Sequence, residues 1–290
     1  NEIPTTSFKN ATQGGYSPFM MAESKAGSLC RSLGYSEIIT YSFVSPAIFD
    51  NIRLPKDSAL RNAMRIQNPL GEDTSIMRTI ALPSMLDILS RNYAYHNKSV
   101  RLYELAKIYL PAEGLCLPAE PKMLTLGAYG NGITFFSMKG QLEAILKGLR
   151  LPKASFTAVK DNPSFHPGRC AAISMNGEHL GYMGQVHPLV CKNYGLDTEV
   201  YCVELDFSKA FTMILPEPTF TPLPKYPAVT RDLSLLCDEA TTIAELENCI
   251  TAAGGKLLRR VDLFDIYRGK GVAEGKKSVA FSLVLRADDR

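Results

Sequence analysis

The chain has 290 residues, 46% of them apolar, and a formal net charge of +3. That length accommodates two domains with a core each, and the charge is too mild to mark a nucleic-acid binder by composition alone. No apolar run approaches the ~20 residues of a membrane-spanning helix and no basic-then-apolar leader opens the chain, so a cytoplasmic protein with no membrane partner is expected.

In chain order, residues 1–17 are polar and aperiodic and read as a linker that begins mid-protein, since the first residue is Asn1 rather than Met. Ser17 before Pro18 is an N-cap with proline at the first helical position; Leu29 and Leu33 share a face before Gly34 ends the helix. Ile39, Tyr41 and Phe43 alternate as a strand, and 63–67 suggests another before the turn-rich Asn68-Pro-Leu-Gly. A helix follows over 82–95, with Leu82, Met85, Leu86, Leu89 and Tyr93 on one stripe. Strands are expected over 100–110 and 124–129, then a helix over 138–150. From 156 to 205 the pattern is mostly extended (156–159, 170–175, 179–186, 200–205), with a short helix near Leu189. Asn176-Gly177 joins two of these strands in a tight hairpin.

Five prolines fall within residues 215–227, which favours an extended connector there. Beyond it a strand carries Leu233 and Leu235, and Thr242-x-x-Glu245 is a capping box opening a helix that Gly254-Gly255 stops. Strands over 257–267 and 278–285 complete β-α-β-β, the opening of a ferredoxin-like βαββαβ unit, truncated before its second helix and fourth strand. The domains so read are 1–17 linker, 18–214, 215–227 linker and 228–290.

Few residues suggest chemistry. The seven cysteines (Cys30, Cys116, Cys170, Cys191, Cys202, Cys237, Cys249) form no C-x-x-C pair, and an odd, scattered set fits reduced thiols. His166, His179 and His187 are the remaining metal-ligand candidates, and their spacing supports no cluster. Gly271 to Ser278 is like a phosphate-binding loop at a glance. It has three residues between its glycines instead of four, and it lies between two strands rather than before a helix.

Two stretches belong together: His166-Pro-Gly-Arg-Cys-Ala-Ala-Ile-Ser-Met-Asn-Gly leading into Gly181-Tyr-Met-Gly-Gln-Val-His-Pro188, and Leu223-Pro-Lys-Tyr-Pro-Ala-Val-Thr-Arg-Asp-Leu-Ser-Leu235. With Asn68-Pro-Leu-Gly, Ser75-Ile-Met-Arg78-Thr-Ile-Ala-Leu-Pro83 and Leu102-Tyr-Glu-Leu-Ala-Lys-Ile-Tyr109, they resemble the carboxy-terminal part of the beta subunit of bacterial phenylalanyl-tRNA synthetase. The resemblance spans nearly the whole chain. It implies an α+β fold: a class II aminoacyl-tRNA synthetase-like antiparallel sheet with flanking helices, then a ferredoxin-like anticodon-binding domain. It also implies an alpha subunit partner in an (αβ)2 heterotetramer, tRNA(Phe) as ligand, and ATP and Mg2+ used by the holoenzyme, with no cofactor and no metal in this fragment. Met77, Arg78, Tyr103 and Glu104, in the matching segments, are the candidate subunit-interface residues.

Enzymes of that class use an Arg-x-Glu strand and a second arginine in a glycine-rich element. Here the strand reads Arg101-Leu-Tyr-Glu104, and residues three apart on a strand face opposite ways unless a bulge intervenes. The glycine-rich strand from Gly181 to Pro188 carries no arginine to stabilise charge on a transferring phosphoryl group. The first domain is therefore read as noncatalytic, with no catalytic residues assigned. For RNA, residues 219–290 hold eleven basic and ten acidic residues, with a basic concentration between Gly254 and Lys277. Lys225, Tyr226, Arg231, Arg259, Arg268 and Lys270 are the candidate tRNA contacts, cations for phosphates and an aromatic ring for an unpaired base; Tyr267 is a second aromatic stacking surface. A self-sufficient ligase of the same fold and a small-ligand regulatory module are the alternatives.

Overall fold

The computed structural model describes residues 14–112, 114 and 117–287; Cys116 and most of the amino-terminal linker lie outside them. The chain divides into two units, Asn1–Glu217 and Pro218–Arg290, the division falling inside the proline-rich segment.

In the first unit, helix α1 (Pro18–Ser32) starts where the Ser17 hydroxyl accepts the Met20 N–H. Strands β1 (Ser36–Glu37) and β2 (Phe43–Val44) precede the one-turn helix α2 (Ile48–Asn51), then β3 (Ile76–Met77) and α3 (Leu82–Ala94). Next come β4 (Val100–Lys107), β5 (Lys122–Tyr129), α4 (Phe135–Gly148), β6 (Ser155–Ala158), β7 (Phe165–Met175) and β8 (Glu178–Val186). The unit ends with α5 (Pro188–Asn193), β9 (Val200–Asp206) and α6 (Phe207–Phe211).

Seven strands form one sheet in the order β1-β4-β5-β9-β8-β7-β6, antiparallel except for the short parallel β1–β4 contact. Side chains alternate between its faces. On one face Leu124, Leu126, Met183, Val203 and Leu205 pack under α1, α4 and α6; on the other Leu102, Tyr129, Val186, Val200 and Cys202 pack under α3 and α5. Gly127 is where α3 comes down on the sheet, since a Cβ there would sit 2.6 Å from Met85. The hairpin between β7 and β8 turns on Asn176 at φ 51° and Gly177 at φ 83°, both left-handed, as a two-residue type I′ turn requires.

Three local expectations need correction. The stretch containing Ile39, Tyr41 and Phe43 is extended but forms strand pairs only at its two ends, and Ile39 and Tyr41 point outward, 91% and 82% exposed. Residues 63–67 make a single bridge, Arg65 to Ile76, in place of a strand. On α1 the most deeply buried side is the small-residue face Ala22, Ala26 and Cys30, with Leu29 and Leu33 at its margin. A helix lying close to a sheet seats small residues at the contact, which hydrophobic periodicity alone does not reveal.

In the second unit β10 (Val229–Asp238), α7 (Ile243–Gly254), β11 (Leu258–Tyr267) and β12 (Lys276–Leu285) make an antiparallel sheet ordered β10-β12-β11. Helix α7 opens with the expected reciprocal cap between Thr242 and Glu245. Its Ile250 packs on Val279 and Phe281, with Leu233, Leu235, Val261 and Ile266 around them. The last strand thus inserts between the first two, the split arrangement of a ferredoxin-like unit.

Candidate functional site

A polar row crosses the middle of the larger sheet. Glu104 on β4 stands opposite Thr125 on β5, Thr125 opposite Glu204 on β9, and Glu204 opposite Tyr182 on β8. Arg78 lies against this row. It donates from Nε to the Lys107 carbonyl at 2.8 Å and from Nη1 to the Thr40 hydroxyl at 2.6 Å, and its Nη2 is 3.5 Å from Glu104. The Thr40 N–H and hydroxyl both donate to Glu104. Arg78 and Glu104 are buried, so each carries a desolvation cost that only this network offsets. Glu204 accepts the N–H groups of Ala81 at 2.6 Å and Leu82 at 3.3 Å at the start of α3. Burial still pushes its carboxyl up to about 7, against the pull of those two N–H groups and of Arg78.

Arg101 and Glu104 do not share a face, because β4 pairs with β5 in continuous register with no bulge. Tyr103, on the face opposite Glu104, has a buried ring whose hydroxyl accepts from Arg31 at 2.7 Å and donates to Glu37 at 2.9 Å. The glycines of β8 serve strand packing: a Cβ at Gly181 would meet the Glu204 carbonyl oxygen at 1.9 Å, and one at Gly184 the Arg169 carbonyl at 2.3 Å. The polar row does not fit ATP or a magnesium ion. One carboxylate is taken by an arginine, another by backbone N–H groups, and no cation stands on β8.

Of the interface candidates, Arg78, Tyr103 and Glu104 therefore lie inside this unit, holding its own elements together, and Met77 is half-buried in β3 opposite Phe43. The surface beside them is the extended stretch they anchor. Thr40 turns inward to Glu104 while Ile39, Tyr41 and Phe43 turn outward, an apolar edge of a kind that free surfaces seldom leave uncovered. Alternation in the sequence marked these three residues; the direction of the alternation and the lack of strand partners between Glu37 and Phe43 were hidden.

In the second unit the six tRNA candidates do not form one patch. Arg231, opposite Leu283, and Arg259, at a bulge next to Leu258, lie at one end of the sheet; Arg268 and Lys270 follow β11 at the other. Lys225 and Tyr226 precede β10 and are exposed. At the Arg268 end three cations are held: Arg268 grips Glu239 at 2.7 Å, Lys276 pairs with Asp238, and Lys277 donates to the Glu239 carbonyl. Glu239 is held below the usual carboxylate range by Arg268. The sheet face away from α7 is not basic either, since Asp232 and Asp262 flank Ser282 and Asp265 stands opposite Ala280.

Residues 3–207 match the family model for the phenylalanyl tRNA synthetase beta chain CLM domain, and residues 224–290 match that for the ferredoxin-fold anticodon binding domain. The chain belongs to the phenylalanine–tRNA ligase beta subunit family. It is 41% identical to the beta subunit of Clostridium acetobutylicum and 42% identical to that of Clostridium tetani, covering all of this chain and 37% of each relative. The Bacillus licheniformis beta subunit is 35% identical over 93% of this chain and 34% of its own length. Among solved structures, pyrrolysyl-tRNA synthetase from Desulfitobacterium hafniense superposes with a TM-score of 0.56 at 11% identity over 68% of either chain, a likeness of fold alone.

In this member of the phenylalanine–tRNA ligase beta subunit family, the class II sheet is thus present with its central polar row occupied by the chain's own side chains.

Proposed function

We propose that this chain is a noncatalytic part of a phenylalanine–tRNA ligase, joining a catalytic alpha subunit in an (αβ)2 assembly through its first unit and contacting tRNA(Phe) with its second. The observation that carries the first half is the closed Arg78–Glu104–Thr40 network, which fills the sheet face with internal hydrogen bonds and leaves no convergent cations for a phosphoryl group. ATP and Mg2+ then belong to the holoenzyme's other chain. The alpha contact is assigned to the edge carrying Ile39, Tyr41 and Phe43, the apolar surface nearest that network.

Phenylalanine-dependent exchange of pyrophosphate into ATP tests this reading. The chain alone is expected to be silent, and exchange is expected only once a phenylalanyl-tRNA synthetase alpha subunit is added. Exchange by the chain alone would sink it. Placing a charge at the edge, Tyr41→Asp with Ile39→Asp, is expected to weaken co-purification with alpha while leaving the unfolding midpoint unchanged, because both side chains are outside the core.

A further inference from the structure

The His166-Pro-Gly-Arg169 stretch has no part in the reading above. Between the pairs Phe165–Val186 and Cys170–Gly184, β7 spends four residues where β8 spends one, so 166–169 form a bulge within β7. Within it the Gly168 N–H donates to Nδ1 of His166 at 3.0 Å. Beside it, His187 donates its backbone N–H to the Ser164 carbonyl at 2.9 Å and takes the Leu189 N–H on its own Nδ1 at 3.1 Å. A neutral imidazole that accepts at Nδ1 carries its proton on Nε2. Both rings therefore present an N–H donor at Nε2 that has no protein partner among the described residues and reaches solvent.

Arg53 completes the group. It follows α2 in the left-handed region at φ 61°, a conformation that residues bearing a Cβ seldom adopt. Its guanidinium reaches the Pro163 carbonyl at 3.2 Å, and its other N–H groups have no protein partner among the described residues. Burial first, then the charges of Arg53 and His166, hold the His187 pKa below the ordinary histidine value. The carboxylate that feels His166, Glu199, is already bound by Arg169 at 2.9 Å and by the Tyr201 hydroxyl at 2.9 Å. A metal ion would need a free Nε2 lone pair, hence a proton moved to Nδ1 and the loss of the bonds from Gly168 or Leu189. An oxyanion needs no such change.

We propose that the Nε2 donors of His166 and His187, with the Arg53 guanidinium, form a binding site for a phosphate oxyanion, supplied either by an RNA backbone or as free phosphate. The test follows the ring signals of the four histidines by NMR in the full chain, titrated with inorganic phosphate at constant ionic strength. Saturable movement of the His166 and His187 ring signals, with those of His96 and His179 unmoved, is expected. His187→Asn keeps an acceptor for the Leu189 N–H, and Arg53→Asn tolerates the left-handed backbone. Each is expected to weaken phosphate binding about tenfold without changing the unfolding midpoint. Adding tRNA(Phe) at fixed phosphate separates the sources: displacement of phosphate supports an RNA backbone, and its retention supports free phosphate as the ligand. Equal movement of all four histidines, or undiminished binding by both variants, would overturn the site.

Discussion

The two units place their charges in opposite ways. The first buries Arg78, Glu104 and part of Glu204 beneath helices, where each group depends on a named partner. The second sets Arg268 against Glu239 and Lys276 against Asp238 on its surface, where water screens both. A buried pair is strongly missed when half of it is removed, whereas an exposed pair is worth little. The interior charges of the first unit therefore define its architecture, while those of the second contribute little to it.

The largest test of this contrast is Arg78→Ala. It leaves Glu104 buried with only Thr40 for company, and a loss of about 3–5 kcal/mol in urea unfolding is expected. A double change to Arg78→Met and Glu104→Leu is expected to cost less than the single one; if it costs more, the network stabilises beyond mutual rescue.

Glu204 supplies the next test, with a definite sign. Burial pushes its folded carboxyl up to about 7 from an ordinary 4.5, so between those values the folded chain holds a proton that the unfolded chain has released. Stability contributed by this group is therefore full below about 4.5 and is lost as pH rises toward 7, by an amount on the order of 2 kcal/mol. Glu204→Gln is expected to flatten that stretch of the stability–pH curve; a parallel curve would mean that the N–H groups of Ala81 and Leu82 keep the carboxylate ionised.

The smallest effects belong to the second unit. Arg268→Ala is expected to leave the unfolding midpoint almost unchanged, as for any exposed pair. If Arg231 meets a phosphate, Arg231→Ala lowers tRNA affinity and flattens the plot of log affinity against log salt by about 0.7, the single-strand coefficient for one contact. For three to five such contacts the full slope is roughly −2 to −4. An equal loss of affinity from both variants would mean that the Glu239 pairing does not withhold Arg268 from RNA.

Much of this protein was legible where the cause is local. Ser17-Pro18, Thr242-x-x-Glu245 and Asn176-Gly177 act through hydrogen bonds or backbone preferences spanning a few residues, and each forms the cap or turn its spacing implies. The family, too, was readable from short motifs and the glycine-rich strand. The role of the interface candidates was not. Arg78 and Glu104 are 26 positions apart and meet only because β4 passes beside the turn into α3. Likewise the six RNA candidates gave a basic count without a location, since strand order alone sends Arg231 and Arg268 to opposite ends of one sheet.

By itself the sequence determined the long helices and strands, their order, the split βαββ connection and the absence of a cation from the glycine-rich strand, because periodicity, caps and residue identity are properties of neighbours along the chain. The tertiary structure alone decided which way the Ile39–Tyr41–Phe43 alternation faces, which carboxylate Arg78 neutralises, and that Arg53 and His166 come near His187. Burial and charge pairing depend on what lies across a sheet or beneath a helix, and those neighbours are chosen by the fold rather than by the chain's local order.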